Sequence, residues 1–352
     1  MSGHKQVQIR FTDKTNELLS NLPPYVRSYI RSIHNRTSAR TNYEYLKDIQ
    51  MFLNYIKDRK DLSEVTLSDL DQISKDTFED YFEYLEHYES VRGEVTNGRC
   101  SLARKLATLR SFFRYLYTNE MISRYEVSKI SRPKVPKKPI IKMDKDEASD
   151  FLSAVHGHRA MTQKEREYYE IQSVRDLAIV YLMLSSGIRV SECSELDVDD
   201  VDIKVDDDGS ISKACLYITR KGGNEAVVYF SDEAAYYLRA YIIWRSSQEN
   251  IPENEKALFL SSRKQRLSVR SIEYLVKKYA ASSLPGKHIT PHKLRATFAT
   301  QLYEETGDIY LVAGALGHTG VSTTTNHYAN LSDTRKQENR NVVRFGSSMF
   351  QG

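Results

Sequence analysis

The chain has 352 residues, a length that fits two domains better than one, and its composition of 40% hydrophobic and 28% charged residues is typical of a globular protein. No apolar run reaches the roughly 18 to 20 residues that a transmembrane helix needs, and no export signal follows Met1, so we expect a cytoplasmic protein without a membrane partner. The formal net charge of +4 is small but unevenly spread, because acids dominate residues 61–90 and Lys and Arg dominate residues 101–140. One side of this region could therefore meet phosphate while another stays solvated.

Apolar residues at three- and four-residue steps predict a helical bundle in the N-terminal third of the chain. The predicted helices cover Asn42–Ile56, Thr77–Tyr88 and Ser101–Asn119. The third helix also aligns hydrogen-bond donors on the face opposite its apolar residues, namely Arg104, Thr108, Ser111 and Arg114. Such donors match phosphate oxygens or base edges, which predicts a DNA-binding face, and plain solvent exposure is the alternative.

A basic, proline-rich segment of sequence RPKVPKKP follows this bundle at residues 132–139. Its prolines break any helix, so its cations line a short extended strap. These cations are Arg132, Lys134, Lys137 and Lys138. The segment predicts a linker between a helical DNA-binding domain of residues 1–131 and a second domain of residues 140–330, with a tail at 331–352. Such a hinge would let two domains close around a polyanion, and a linker with incidental lysines is the alternative.

The second domain is predicted to be mostly helical with a small antiparallel sheet. An apolar helix over Ser173–Ser186 ends at Gly187, which suits a left-handed turn. Two β-rich runs, Lys213–Thr219 and Glu225–Phe230, predict a hairpin with Lys221 at its tip. Further helices are predicted near Ser231–Arg245, Ser268–Ala281, Pro291–Tyr303 and Ile309–Leu316.

Two features could indicate a metal site, and neither supports one. An EF-hand in the acid-rich run 197–210 would need acids where Lys204 and Cys215 stand, and a two-metal site would need carboxylates gathered in space, so we interpret the run as a solvated turn. Cys215 and the other cysteines, Cys100 and Cys193, lie far apart with no CxxC pair, so we expect three buried apolar side chains. We therefore predict no metal and no cofactor.

The stretch TPHKLRATFATQL places a histidine and an arginine one helical turn apart. Pro291 suits the first position of a helix, so His292 and Arg295 are predicted in its first turn and on one face. A helix N-terminus favours anions, and a guanidinium adds a bidentate clamp for phosphate. The pair is common in proteins and indicates little without further motifs.

Further motifs do occur, in a fixed order along the second domain. They are GIRVSE at 187–192, Lys221 on the hairpin, PHKLR at 291–295, LGH at 316–318 and Tyr328. This set resembles the catalytic domain of the tyrosine recombinases, the phage-integrase superfamily, over residues 140–330. The helical bundle with its basic linker is similar to that family's SAM-like core-binding domain. The chain resembles the Xer-type or transposon-borne recombinases more than the two-site phage integrases, because no separate arm-site domain is evident.

The resemblance implies that DNA is cut without metal or ATP through a 3′-phosphotyrosyl link. Tyr328 would attack the phosphorus, Arg189 and Arg295 would clamp the two nonbridging oxygens, and Lys221 would protonate the departing 5′ oxygen. Glu192 would support the arrangement from just after Arg189.

Two histidines complete the implied set. His292 would act as general acid or base toward the tyrosine, and His318 would donate a hydrogen bond to the phosphate. Tyr328 follows His318 by ten residues, which is one more than the commonest spacing in the family.

The implied function is site-specific DNA recombination, either integration and excision of a mobile element or resolution of chromosome dimers. Its partners would be a double-stranded recombination site, three further copies of the chain in a tetramer on paired sites, and an accessory DNA-bending or directionality protein. Apolar residues in the tail 331–352 predict docking into another subunit, with packing inside the same chain as the alternative. A type IB topoisomerase-like relaxation activity and a non-catalytic DNA-binding protein of the same fold are the alternative functions.

Overall fold

The structure, a computed structural model, describes residues 3–90, 93–135, 141–157, 163–220 and 223–317, with the backbone alone at residue 4 and at residues 163–171. The chain divides into two compact units. The first is His4–Lys138, and the second is Pro139–Gly352 together with Met1–Gly3. Within the described ranges, no helix is both long enough and apolar enough to span a bilayer.

The first unit is a helical bundle, as the sequence predicts. Its helices are α1 (Gly3–Leu19), α2 (Pro24–Ile33), α3 (Ala39–Lys60), α4 (Leu67–Asp71), α5 (Lys75–Glu86) and α6 (Arg99–Thr118), followed by a 3-10 turn at Glu126–Lys129. Side-chain caps define where the helices begin, because the hydroxyl of Ser38 accepts the main-chain N–H of Thr41 at α3 and that of Ser74 accepts the N–H of Thr77 at α5.

The core of this unit is built around aromatic rings from three helices. The ring of Phe52 on α3 stacks on Phe78 of α5 with 5.4 Å between centroids, and Phe113 of α6 meets both rings edge-on at 5.7 and 5.1 Å. All three side chains are at most 1% exposed. Such edge-to-face pairs each add about 0.5 to 1.5 kcal/mol beyond the burial of their apolar area. The core therefore fixes α6 with one face inward and one outward.

The structure differs from the prediction where α5 ends. The sequence predicts helix as far as Tyr88, whereas α5 ends at Glu86 and an antiparallel hairpin follows, made of β1 (His87–Ser90) and β2 (Gly93–Thr96). Tyr88 pairs with Val95 across this hairpin. The apolar spacing that extends the helix in sequence is equally compatible with a half-buried strand over so short a segment.

The second unit contains seven described helices and one sheet. They are α7 (Lys145–Val155), α8 (Gln163–Ser186), α9 (Val190–Glu195), α10 (Asp232–Ser246), α11 (Val269–Ser283), α12 (Pro291–Thr306) and α13 (Ile309–Leu316), with strands β3 (Val201–Val205), β4 (Ile211–Thr219) and β5 (Glu225–Tyr229). Helix α8 packs against α10 and α12, so its apolar C-terminal half forms the centre of the core. The unit is mainly helical with a small antiparallel sheet, as predicted.

The sheet confirms the predicted β4–β5 hairpin and adds a strand that the sequence analysis missed. Its order is β3-β4-β5, with Val201 opposite Leu216 and Leu216 opposite Val228. The acid-rich run at 197–210 is therefore a strand as well as a turn. Alternating Val201, Ile203 and Val205 supply the apolar face of that strand, a period-two pattern that the intervening acids obscured.

One cysteine also departs from the prediction. Cys193 and Cys215 are buried, as expected, but Cys100 is exposed. Cys100 is the second residue of α6 and lies one turn before Arg104, on the side of the helix that faces away from the core.

Candidate functional site

Arg189 lies in the sharp turn that joins α8 to α9. Gly187 ends α8 with a φ of +61°, and a Cβ at this position would lie 2.3 Å from the Phe298 ring of α12, so only glycine fits both the backbone and the space. The chain then enters α9 with Arg189 as its N-cap residue. The glycine therefore sets the direction in which Arg189 leaves the core.

Glu192 holds Arg189 from one turn into α9. One carboxylate oxygen of Glu192 accepts from the Arg189 guanidinium and the other from the Arg189 main-chain N–H, both at 2.7 Å. The side chain of Arg189 is 36% exposed whereas that of Glu192 is 6% exposed. A buried carboxylate thus fixes the orientation of a guanidinium that still reaches solvent.

Arg295 joins three segments of the second unit. Helix α12 begins at Pro291, so Arg295 opens the second turn rather than falling in the first. Its side chain is buried, and its guanidinium donates to the carbonyls of Gly187 and of Leu316. Leu316 is the last residue of α13, where carbonyls lack partners within the helix and the helix dipole favours a cation. One side chain therefore brings together the motifs GIRVSE, PHKLR and LGH.

His292 lies one turn before Arg295, in the first turn of α12, and is exposed. An exposed imidazole beside a buried guanidinium can exchange protons with a substrate that the guanidinium binds. The other predicted catalytic residues, Lys221, His318 and Tyr328, lie outside the described residues, as does the tail 331–352.

Arg220 is a charged residue of this site that the sequence analysis missed. It follows the end of β4, and its Nη2 donates to the carbonyl of Ala315 on α13 at 3.0 Å. Burial lowers the pKa of the Arg220 guanidinium, the Glu192 carboxylate opposes this shift, and the positive charge of Arg189 adds to it. Arg220 therefore lies within electrostatic range of the Arg189–Glu192 pair. Its position next to Lys221 in the sequence was the available signal.

The described part of the site is strongly cationic. Arg189 pairs with the buried carboxylate of Glu192, Arg220 lies within electrostatic range of that pair, and Arg295 holds the carbonyl of Gly187, two residues before Arg189. Within the described ranges, no three His, Cys, Asp or Glu side chains are arranged to hold a metal ion. Convergent guanidinium groups are suited to bind an anion with several oxygens, such as a phosphate.

The predicted DNA-binding face on α6 is only partly formed as expected. Arg104 and Arg114 are exposed, and Ser111 is half-buried and accepts a hydrogen bond from the Tyr29 hydroxyl at 2.8 Å. Thr108 is fully buried, and its hydroxyl donates to Asp48 at 3.0 Å, so it faces the interior and corrects the predicted face.

Thr108 departs from the prediction because the buried face of α6 is wide enough to include it. Asp48 of α3 is 3% exposed and also accepts from Arg104 and Lys105, so three donors of α6 converge on it. Thr108 is one of these donors. The exposed stripe of α6 runs instead through Cys100, Arg104, Ala107 and Arg114, with Ser111 half-buried within it.

Two cations of the predicted linker are described. Arg132 and Lys134 are both exposed, and the carbonyl of Lys134 accepts a hydrogen bond from Arg99 at 3.4 Å. Lys137 and Lys138 lie outside the described residues. The exposed pair is available to phosphate oxygens, and its binding to DNA stays a prediction.

Two family models match the sequence. The model of the Phage integrase family matches residues 142–335, and the model described as the N-terminal SAM-like domain of phage integrases matches residues 26–120. The first covers all of the residues that form the cationic site.

Curated relatives match along most of the chain. The sequence is 31% identical over 330 residues to tyrosine recombinase XerC of Caldanaerobacter subterraneus subsp. tengcongensis, which covers 90% of this chain and 85% of that protein. It is 28% identical over 355 residues to tyrosine recombinase XerS of Streptococcus sanguinis, covering 92% of this chain and 96% of that protein.

Solved structures share the fold at lower identity. The XerH site-specific recombinase bound to its difH substrate matches with a TM-score of 0.63 at 18% identity, covering 85% of this chain and 80% of that one. The Tn1549 transposon integrase in complex with transposon right end DNA matches with a TM-score of 0.61 at 16% identity, covering 91% of this chain and 99% of that one.

Proposed function

Because the chain belongs to the phage integrase family and is a tyrosine-type, Xer-like site-specific DNA recombinase, we propose that it cuts and rejoins DNA through a covalent link to Tyr328. The observation that carries this proposal is the bridge made by Arg295, whose guanidinium ties the Gly187 turn to the end of α13. That bridge brings the Arg189 motif and Leu316, which is two residues before His318, to one guanidinium. This bridge supports the proposal that the cations bind one phosphate together.

In the proposed first step, the Tyr328 oxygen forms a bond to phosphorus as the bond from phosphorus to the 5′ oxygen breaks. The phenol proton passes to His292, and Lys221 gives a proton to the departing 5′ oxygen. The bond energy is kept in the 3′-phosphotyrosyl link, so rejoining needs no ATP. The reverse attack by a 5′ hydroxyl of the partner strand releases Tyr328.

The arginines stabilise the charge that grows on the two nonbridging oxygens during this step. Arg189 and Arg295 would each take one oxygen, with Glu192 keeping Arg189 in its orientation. Removing a preorganised donor of this kind from an enzyme costs about 10² to 10³ in rate. His318 adds a further donor to the same phosphate.

The first unit and the linker would bind the DNA duplex on either side of the cleavage site. Arg104, Ser111 and Arg114 on α6 together with Arg132, Lys134, Lys137 and Lys138 are the proposed contacts, and Thr108 is withdrawn from this set because it is buried. Contacts of this type set affinity and register, because they go mainly to phosphates.

The proposed assembly is a homo-tetramer on two paired recombination sites, with an accessory DNA-bending or directionality protein as a further partner. The process served is integration and excision of a mobile element or resolution of chromosome dimers. Both take place on cellular DNA, which places the protein in the cytoplasm.

A suicide substrate with a nick near the cleavage site tests the proposal, because loss of the short cut strand traps any covalent intermediate. We expect the wild-type protein to form a protein–DNA adduct in the presence of a chelator, and Tyr328→Phe to form none while binding the same DNA. Tyr310→Phe is the matched control, because Tyr310 is 71% exposed on α13 and has no proposed role. Cutting that requires magnesium, or an adduct that persists in Tyr328→Phe, would refute the proposal.

A further inference from the structure

Arg220 links the β4–β5 hairpin to the end of helix α13. Its main chain closes the hairpin turn, because its N–H donates to the Asn224 carbonyl at 2.8 Å and its carbonyl accepts from the N–H of Gly223 at 3.0 Å. Its side chain leaves the hairpin and donates to the Ala315 carbonyl, 95 positions later in the chain. Any movement of the hairpin base relative to α13 must therefore break this hydrogen bond.

Gly317 is shaped to receive the Arg220 side chain. A Cβ on Gly317 would lie 1.2 Å from Nη1 and 2.1 Å from Cζ of Arg220, so the guanidinium occupies the space of any larger residue. The φ of Gly317 is +61°, which also favours glycine. The guanidinium thus lies directly against the backbone that leads into His318.

The carbonyls at the end of α13 are shared between two arginines. Arg295 takes the carbonyl of Leu316 and Arg220 takes that of Ala315, the preceding residue. Both carbonyls lie in the last turn of α13, where such groups lack partners within the helix. The end of α13 is therefore held from two directions, by α12 through Arg295 and by the hairpin through Arg220.

Burial of the Arg220 guanidinium in this environment is unfavourable, so filling space alone does not explain why an arginine is present. Its Nε is buried without a hydrogen-bond partner among the described residues, and the positive charge of Arg189 disfavours a second cation nearby. An apolar side chain would fill the same space without either penalty. The planar guanidinium of Arg220 can instead bind the end of α13 and contact Gly317 at the same time, which an apolar side chain cannot do.

We propose that Arg220 is a positioning residue that holds the chain leading into Lys221 against the end of α13, so that the Lys221 ammonium reaches the departing 5′ oxygen. Arg220 immediately precedes Lys221, and Gly317 immediately precedes His318. The inference rests on the proposed function. It adds a residue that acts through Lys221 without touching the substrate.

Positioning has a measurable consequence for the proton that Lys221 gives to the departing 5′ oxygen. A misplacement of about 1 Å in a catalytic group can cost about 10²-fold in rate. A substrate whose 5′ bridging oxygen is replaced by sulfur needs no such proton, because a thiolate is a good leaving group. Loss of Arg220 should therefore harm cleavage of the oxygen substrate far more than cleavage of the sulfur substrate.

The experiment compares single-turnover cleavage of these two suicide substrates by Arg220→Ala, Arg220→Lys and Lys221→Ala. We expect Arg220→Ala to cleave the oxygen substrate about 10²-fold more slowly than wild type and the sulfur substrate at nearly the wild-type rate, and we expect the same pattern from Lys221→Ala. Arg220→Lys keeps the charge and loses the fork, so we expect the same pattern with a smaller loss.

Arg245→Ala is the matched control. Arg245 lies on α10 of the same unit, and its guanidinium also donates to main-chain carbonyls, those of Ala257 and Glu255 at 3.0 and 2.9 Å. We expect this variant to change cleavage of both substrates by the same factor. Equal slowing of both substrates by Arg220→Ala, or no slowing of either, would overturn the inference.

A third substrate separates positioning from direct contact with the phosphate. A methylphosphonate at the cleavage site lacks one negative charge, so it restores cleavage by variants that have lost a charge-neutralising group. Rescue of Arg220→Ala by the methylphosphonate but not by the sulfur substrate would make Arg220 a catalytic residue and overturn the positioning role. Failure of the proposed function itself is distinguishable, because the wild-type protein would then form no adduct on any of the three substrates.

Discussion

At the scale of single residues, the site depends on how a buried cation is held. The guanidinium of Arg295 is held by two main-chain carbonyls, and carbonyl dipoles stabilise a cation without cancelling its net charge. Arg189 is held by a carboxylate instead, but its side chain remains 36% exposed. The two residues proposed to clamp one phosphate thus differ, one being fixed by the fold and the other by a single ion pair.

This difference predicts the effect of Arg295→Lys on stability. A lysine keeps the charge, but one ammonium cannot reproduce the planar fork that reaches Gly187 and Leu316 together. A carbonyl left unpaired in the core costs about 1 to 3 kcal/mol, so we expect a loss of that size in the free energy of unfolding. Urea denaturation measures it.

Arg239→Lys serves as the control for this prediction, because Arg239 is exposed on α10 of the same unit. Surface substitutions of this kind usually change stability by no more than about 0.5 kcal/mol. If Arg295→Lys falls within that range as well, the bridge between the Gly187 turn and α13 does not stabilise the unit.

The cysteines allow a second prediction at this scale. Burial raises the pKa of the Cys193 thiol far above its usual range, whereas Cys100 is exposed on α6. Alkylation needs the thiolate, so iodoacetamide at mildly alkaline pH should label Cys100 in the native protein and leave Cys193 and Cys215 unlabelled. Unfolding in urea should expose all three.

Mass spectrometry of native and unfolded samples checks the labelling. A protein that incorporates two or more labels while still folded would show that the core around α9 or β4 opens readily. Cys100→Ser should abolish native labelling and leave DNA cleavage unchanged.

Part of the proposed site could be predicted from the sequence because its residues belong to short contiguous motifs. Arg189, His292 and Arg295 could be predicted because GIRVSE and PHKLR are each contiguous. Arg220 could not, because its use arises from contact with Ala315 and Gly317, which only the fold brings near. Residues that act by joining distant segments carry no pattern of their own.

At the scale of elements, helix α6 shows why a helical face is hard to assign from sequence. A step of four residues from Arg104 leads to Thr108, which is buried, and a step of three leads to Ala107, which is exposed. Residues three and four positions apart both lie on one helical face, so the sequence does not show which of Ala107 and Thr108 is buried. The width of the core decides this. Here the core is widened by Asp48, which draws Thr108 inward.

The same limit explains the missed strands. Strand β3 alternates apolar and polar residues over Val201–Val205, but acids before and after it dominate the local composition. The β1–β2 hairpin is made of two strands of four residues each, too short to establish a period. The long helices α3, α6 and α8, in contrast, were predicted because their apolar spacing repeats over several turns.

The corrected stripe of α6 predicts unequal contributions from its two arginines. Arg114 is exposed, whereas Arg104 is partly neutralised by its ion pair with Asp48. Replacing a residue that contacts phosphate weakens binding to all sequences and lowers the salt slope by about 1. We therefore expect Arg114→Ala to show this change and Arg104→Ala to show a smaller one.

Binding to a recombination-site duplex measured across a range of salt concentrations tests this prediction. Arg124→Ala is the matched control, because Arg124 is exposed in the same unit but follows Ser123, which is bound to the acidic Asp71. An unchanged salt slope in Arg114→Ala would mean that the exposed stripe of α6 does not face the DNA backbone.

At the scale of the whole molecule, the two units have separate hydrophobic cores. The first unit offers an exposed cationic stripe, and the second offers the cationic site at α8, α12 and α13. In the proposed function the first surface would provide binding and the second would provide chemistry, so neither alone would perform site-specific recombination. The predicted basic linker at 132–139 would be the covalent connection that commits both to the same duplex.

The tail beyond Tyr328 allows a prediction about the proposed assembly. Its last residues include Val342, Val343, Phe345, Met349 and Phe350, an apolar set that is out of place on a chain end exposed to water. If these residues dock into a neighbouring subunit, a chain ending at Asp333 should keep Tyr328 and bind one site with unchanged affinity. It should fail to form the complex of four subunits on two sites, because each subunit would lose one contact with the next in the ring.

A chain shortened only by Gln351 and Gly352 keeps the apolar set and is the control. Native gels with differently sized duplexes separate the one-site complex from the paired complex for both truncations. The chain ending at Asp333 should still form the covalent adduct if attack by Tyr328 does not require assembly with a partner subunit. A normal paired complex from the chain ending at Asp333 would show that the tail packs on its own subunit, and the contacts that hold the assembly together would then have to lie within residues 1–333.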